Sequence, residues 1–235
     1  MSGKLLMIPT VIAEDSQELT ITEGAKNAIC ACDYFFVENV RTARRYISSL
    51  SLGMKIEDLH FEILDKKTSF EDCFELIQPL MEGKTAGVIS ESGCPGIADP
   101  GAKLVHMAHQ FGVQVVPYVG PSSILMALMA SGFNGQSFTF HGYLPIDKKA
   151  RQQAIRILEK ESFEMNRTQI FMDTPYRNEQ LLRDIIKTAR KDTFLCVAKD
   201  ITGKNEHIIT RPVGKWKVGD MSLHKSPAIF LIYSQ

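Results

Sequence analysis

The residues with the most chemical content form one run, Ser90-Glu91-Ser92-Gly93-Cys94-Pro95-Gly96-Ile97-Ala98-Asp99-Pro100-Gly101. Its glycines let backbone approach a ligand closely, and its prolines fix the loop shape. It follows an apolar strand-like segment, and in open α/β sheets ligands bind beyond the carboxyl ends of the strands. Its twelve residues exceed the usual length of such a connection, about 2–6. It contains neither G-x-x-x-x-G-K-[ST] nor G-x-G-x-x-G, so a ligand other than a di- or triphosphate is favoured. A second segment, Gly120-Pro121-Ser122-Ser123, lies at another strand end and opens a helix. Its free N–H groups and hydroxyls suit a carboxylate or sugar hydroxyls; the plainer reading is that Ser122 or Ser123 caps the helix.

Other candidates are single charges at strand ends. Glu38 suits a proton acceptor or a partner for Arg41 three residues on. Lys199 offers a second base or a solvated charge. Arg41, Arg44 and Arg45 share one helical face, fit either to grip phosphates or to face water. Asp173, Tyr176 and Arg177 fall where a strand passes into a helix, a position open to substrate; Asp173 is equally a favourable helix-start charge. His106 and His109 are three apart with no third ligand, and no two cysteines form C-x-x-C, so no metal is expected. Trp216 reads as packing rather than base stacking, and the Met-rich residues 125–129 read as core.

Positioning these groups requires a regular scaffold, and the chain alternates short apolar strands with amphipathic helices. Strands are expected at residues 4–8, 34–38, 85–90 and 113–119. A capping box, Thr20-Ile21-Thr22-Glu23, predicts a helix over 21–31. Asn39 caps the helix that carries the arginines. Phe70, Cys73, Phe74, Ile77, Leu80 and Met81 form one stripe, predicting a helix over Phe70–Met81 between Ser69 and Gly83. Asp99 caps a helix over 100–111 that Gly112 ends, and another helix covers 124–130. The second half repeats the alternation with strands at 138–143, 169–173, 193–198 and 228–233. Helices are expected at 148–164 and from Thr174-Pro175 to about Arg190. This pattern predicts an α/β fold of two α/β domains, 1–120 and 121–235, the first mainly parallel and the second a mixed sheet.

Composition sets outer bounds. The chain of 235 residues is 44% hydrophobic and has five cysteines, an odd number that suits a reducing compartment better than a disulfide framework. Neither a signal peptide nor an apolar run of membrane-spanning length is evident, so a cytoplasmic protein with no membrane partner is expected. Net charge is zero, but residues 1–120 hold 10 Lys+Arg against 16 Asp+Glu and the rest hold 17 against 11. A basic second half suits an anionic partner, although chance partition of solvated charge gives the same count.

In order along the chain, the segments Ile8-Pro9-Thr10, S-E-S-G-C-P-G-I-A-D-P-G, P-Y-V-G-P-S-S, H-G-Y-L-P, F-M-D-T-P-Y-R and residues 198–206 resemble the tetrapyrrole-methylase-type (class III) methyltransferases. They are most similar to the ribosomal RNA small subunit methyltransferase I family. The resemblance covers nearly the whole chain. It implies S-adenosylmethionine (SAM) in a cleft between two α/β domains, a homodimer, and 2′-O-methylation of a cytidine ribose in small-subunit ribosomal RNA. It implies largely backbone contacts to SAM at Pro9, Cys94, Ile97, Ser123, Ile124, Met172, Ala198, Pro227 and Ala228, with Ser90 and Ser122 in the same loops. Glu38 matches a glutamate the family retains. Two motifs depart from the family pattern. The first strand continues as Val11-Ile12-Ala13 where the family has Gly-Asn, and Asn39 stands where it has an acidic residue. Two other readings stay open: the same fold acting on a tetrapyrrole or another small or protein acceptor, and a non-catalytic SAM- or nucleotide-sensing module.

Overall fold

The computed structural model describes residues 3–235; Met1 and Ser2, at the start of the first predicted domain, lie outside the described residues. The chain divides into two compact units, Met1–Ser122 and Ser123–Gln235.

In the first unit, β1 (Lys4–Ile8), β2 (Tyr34–Val37), β3 (His60–Ile63), β4 (Ala86–Ile89) and β5 (Gln114–Pro117) form a sheet in the order β3-β2-β4-β1-β5. Every pairing in it is parallel. The helices α1 (Gln17–Thr20), α2 (Glu23–Cys30), α3 (Val40–Ser49), α4 (Phe70–Met81) and α5 (Gly101–Gln110) connect the strands. A parallel sheet flanked by crossover helices buries both faces of its inner strands, so β2, β4 and most of β1 are apolar. Successive side chains alternate accordingly. Leu6, Ile8, Phe35, Val37 and Ile89 pack with Ala25, Ile29 and Ile47 of α2 and α3. Leu5, Met7, Phe36 and Val88 pack with Cys73, Ile77, Leu80 and Leu104 of α4 and α5.

In the second unit, α6 (Ser123–Ser131), α7 (Lys148–Met165) and α8 (Asn178–Thr188) flank a sheet of β6 (Phe138–Tyr143), β7 (Thr168–Met172), β8 (Phe194–Lys199), β9 (His207–Pro212) and β10 (Ala228–Tyr233). The order is β6-β7-β10-β8-β9. Only β6 and β7, joined by α7, are parallel; β10 lies between β7 and β8 and runs against both. Both units are thus α/β, one parallel and one mixed, as the alternation predicts.

Several local expectations are corrected. Thr22, not Thr20, caps α2, its hydroxyl accepting from the Ala25 N–H at 3.2 Å. Thr20 ends the separate short helix α1, where its hydroxyl donates to the Ser16 carbonyl at 2.8 Å. The strand β3 carries no long apolar run, because it is an edge strand and only half covered. The helix after β7 starts at Asn178 rather than Thr174, since residues 174–177 form turns. Residues 125–129 are not core throughout: Ala127 and Leu128 are buried, but Leu125 is 49% and Met129 82% exposed. A helix packed on one side buries only one face. The stripe of α4 splits for the same reason, with Phe70 and Phe74 half exposed. Trp216 is buried in the core of the second unit, as its turn-rich surroundings suggest.

Among the described residues no helix is long and apolar enough to cross a membrane, and no three His, Cys, Asp or Glu side chains are grouped to hold a metal ion.

Candidate active site

Because the first sheet is parallel, β1, β2, β4 and β5 all end on one edge, and their following segments meet there. The loop 90–101 is stitched to its neighbours mainly through backbone. The Thr10 N–H donates to the Gly93 carbonyl at 2.9 Å and the Thr10 hydroxyl to the Ser90 carbonyl at 3.3 Å. The Ser90 hydroxyl also donates to Gly93, at 2.8 Å, and the Cys94 thiol points at the carbonyls of Gly120 and Pro121, 3.6 and 3.4 Å away. Gly93 has φ +72°, and a Cβ there would lie 3.0 Å from the Pro121 carbonyl oxygen. Gly120 is more restricted still, since a Cβ would lie 2.1 Å from that of Pro9. These glycines let three strand-end segments close on one another; the sequence marked them as permissive, and the fold shows what they approach. Pro9, Ser90, Cys94 and Ser122 are thus brought to one edge, with the Tyr46 hydroxyl donating to the Pro9 carbonyl at 2.8 Å.

Asp99 shapes the second half of the loop. Its Oδ1 accepts from the N–H groups of Gly96 at 2.5 Å and Gly101 at 2.9 Å, so it closes the loop, while Pro100 rather than Asp99 stands at the N-cap of α5. Burial pushes its carboxyl above the usual range; the two N–H groups oppose this and the Glu38 charge adds to it. Ala98 beside it has φ +60°, the left-handed region, a conformation that costs a non-glycine residue about 1–2 kcal/mol. Ile97 is 55% exposed at the same loop.

Glu38 leaves β2 at this edge. No ion pair joins it to Arg41 among the described residues; instead its Oε1 accepts from the Glu91 N–H at 3.4 Å. The Glu91 carboxyl is raised by burial and then by the Glu38 charge, against a hydrogen bond from Thr42. Glu91 was not singled out in the sequence, although it stands second in the loop motif. Asn39 explains one departure from the family pattern: its Oδ1 caps α3, accepting from Arg41 N–H at 2.9 Å and Thr42 N–H at 3.3 Å. Asparagine and aspartate cap about equally well, so the helix start is kept without the charge. The three arginines of α3 are exposed but do not act alike, since the Arg44 guanidinium lies 5.4 Å from the centre of the Phe61 ring.

The second unit has a comparable edge, where β7 and β8 end and β10 begins. Ile229 is paired with both Met172 and Ala198, and Ala228 with Lys199, so Met172, Ala198, Lys199 and Ala228 are neighbours. The Pro227 carbonyl accepts from Asp200 N–H at 3.0 Å. Ser123 and Ile124 open α6 in this unit. Asp173 is buried and tied to Arg177, whose Nε donates to Oδ1 at 2.7 Å, while Tyr176 is 77% exposed. Asp173 Oδ2 and Asn178 Oδ1 are buried at this edge without a protein hydrogen-bond partner. A ligand rich in N–H and O–H donors fits such groups, and SAM carries an ammonium, an exocyclic amine and two ribose hydroxyls.

Two α/β units, each presenting its loops at one sheet edge, make up the fold. The same fold occurs in the methyltransferase CobJ (TM-score 0.63, 15% identity, 99% of this chain and 95% of that one). It also occurs in uroporphyrin-III-C-methyltransferase from Thermus thermophilus (TM-score 0.57, 16% identity, 99% and 93%). Residues 18–216 match the family model of the tetrapyrrole (corrin/porphyrin) methylases, and the chain belongs to that family. Its similar relatives include the ribosomal RNA small subunit methyltransferase I of Vibrio cholerae serotype O1, 29% identical over 97% of this chain and 76% of that protein. The protein of the same name from Pasteurella multocida is 34% identical over 99% and 79%. The chain is therefore an enzyme, a methyltransferase that uses SAM.

Proposed function

We propose that this enzyme methylates the 2′-hydroxyl of a cytidine ribose in small-subunit ribosomal RNA. Supporting observations are the names of its similar relatives and the basic second half. One structural observation carries the reading: the Glu38 carboxylate accepts from the Glu91 N–H, and its charge raises the Glu91 carboxyl, where the arginine-bearing helix α3 begins. A neutral sugar hydroxyl needs a proton acceptor, while the phosphates beside it need cations. Carboxylates at the reacting edge with arginines alongside suit that combination. They suit a tetrapyrrole less well, because its own carboxylates would meet like charge.

SAM supplies a methyl group made electrophilic by its sulfonium. Glu38 would accept the proton of the ribose hydroxyl, and Lys199 is the second candidate base. Arg41, Arg44 and Arg45 hold phosphates, and Asp173, Tyr176 and Arg177 complete the substrate contacts. Pro9, Ser90, Cys94, Ile97, Ser122, Ser123, Ile124, Met172, Ala198, Pro227 and Ala228 hold the cofactor, mostly through backbone. Domain limits of 1–120 and 121–235, a homodimer and a cytoplasmic location complete the proposal.

Nucleoside mass spectrometry of ribosomal RNA from a strain lacking the protein tests it. Loss of one 2′-O-methylcytidine is expected; unchanged ribose methylation overturns the acceptor assignment and leaves SAM binding to be measured separately by calorimetry.

A further inference from the structure

In the second unit, two buried acceptors flank the segment that leads into β10. The Asp173 side chain is 1% exposed. Its Oδ1 accepts from the Thr174 N–H and the Arg177 Nε, both at 2.7 Å, leaving Oδ2 without a protein partner. Asn178 is fully buried. Its amide nitrogen donates to the Ser226 carbonyl at 2.8 Å, leaving its Oδ1 without a partner. The amide orientation is fixed chemically, since a flip would set two carbonyl oxygens against each other. Buried polar atoms are nearly always hydrogen-bonded, and each orphan needs a reason. Here both orphans are acceptors, so what they seek is a donor.

Their place narrows the choice. Asp173 directly follows Met172, which pairs with Ile229 of β10, and Asn178 holds Ser226, two residues before Ala228. The Asp173 carboxylate is already neutralised by Arg177, and Asn178 is uncharged, so the pair suits a neutral donor better than an ammonium. We propose that Asp173 Oδ2 and Asn178 Oδ1 accept hydrogen bonds from the nucleoside half of the cofactor, through its exocyclic amine or its ribose hydroxyls. Arg177 is then a positioning residue that orients the carboxylate. This assignment rests on the SAM reading and replaces a substrate role for Asp173 and Arg177.

Asp173→Asn inverts the site. Arg177 and the Thr174 N–H require an oxygen at Oδ1, so the new amide puts its NH₂ where Oδ2 stood, donor facing donor. Calorimetry with S-adenosylhomocysteine should show affinity lowered at least tenfold, read well below the variant's own melting temperature because Arg177 loses its counter-charge. 5′-Methylthioadenosine, which lacks the amino-acid end, should show the same loss. S-inosylhomocysteine separates the two sources. If the amine is the donor, the wild-type protein binds this analogue more weakly and the variant no longer discriminates; if the hydroxyls are, discrimination persists. Equal affinity of wild type and variant for S-adenosylhomocysteine, or a loss absent with 5′-methylthioadenosine, overturns the proposal. Failure of the wild-type protein to bind S-adenosylhomocysteine refutes the SAM reading itself. Asn178→Ala, measured the same way, tests the second acceptor independently.

Discussion

Glu38 and Asp99 are the residues whose surroundings change most between chain and fold. Glu38→Gln keeps an oxygen for the Glu91 N–H but removes the proton acceptor. The expected result is a kcat lowered about 10²–10⁴-fold with SAM affinity unchanged, measured by methyl transfer to small ribosomal subunits and by calorimetry. Asp99→Asn keeps its Oδ1 for the two loop N–H groups while removing a charge that burial penalises. An acid whose pKa is raised on folding binds more protons in the folded state, so its contribution to stability falls as pH rises from the unfolded value through the folded one. The variant should therefore gain stability relative to wild type as pH rises above about 4, read as melting temperature against pH. The spacing makes Asp99 the cap of α5, but Pro100 holds that place and Asp99 instead ties Gly101 into the loop. Its bond to Gly96 and the effect of Glu38 on it depend on a loop closure that no periodicity records.

Among the elements, α3 and α7 lend themselves to test. If α3 grips phosphates, Arg41→Glu and Arg45→Glu should weaken RNA binding across sequences. Each lost contact should lower the salt slope by about 1, read by filter binding over a salt series. α7 contributes Arg151, which donates to Asp184 of α8 through Nε at 3.0 Å and a terminal nitrogen at 2.6 Å, and to the Ile146 carbonyl at 2.7 Å. Burial raises the Asp184 carboxyl, but hydrogen bonds from Arg151, Gln180 and Gln152 outweigh it and hold it below the usual range. Its stability is thus present above the unfolded pKa and lost as pH falls below about 4. Arg151→Ala strands the buried carboxylate and should cost about 3–5 kcal/mol in urea unfolding. The helices themselves were legible: Phe70–Met81 and its Ser69 cap are read from spacing alone and recur unchanged, with Asp72 completing the capping box. What spacing missed was β3, half covered at the sheet edge, and the true start of α8, because turns leave no apolar period.

For the whole molecule, the SAM reading predicts ligand-linked stability. At a concentration 100 times Kd, S-adenosylhomocysteine should stabilise the folded protein by about 2.7 kcal/mol, seen as a raised melting temperature in calorimetry. Sedimentation should show a dimer. Alternation of apolar strands and amphipathic helices sufficed to give two α/β units, because binary pattern and strand–helix order restrict the sheets a chain can build. The ordered motifs gave the family, because loops at strand ends must keep their glycines and prolines for backbone to meet backbone. Only the tertiary structure decided what each loop residue touches. It set Glu38 against Glu91 from strands 53 residues apart in sequence. It also turned Asp173 from an open strand-end charge into a buried, Arg177-bound acceptor with one oxygen unpaired. Burial and orphaned acceptors are properties of a packed interior, so a one-dimensional pattern of residue types cannot carry them.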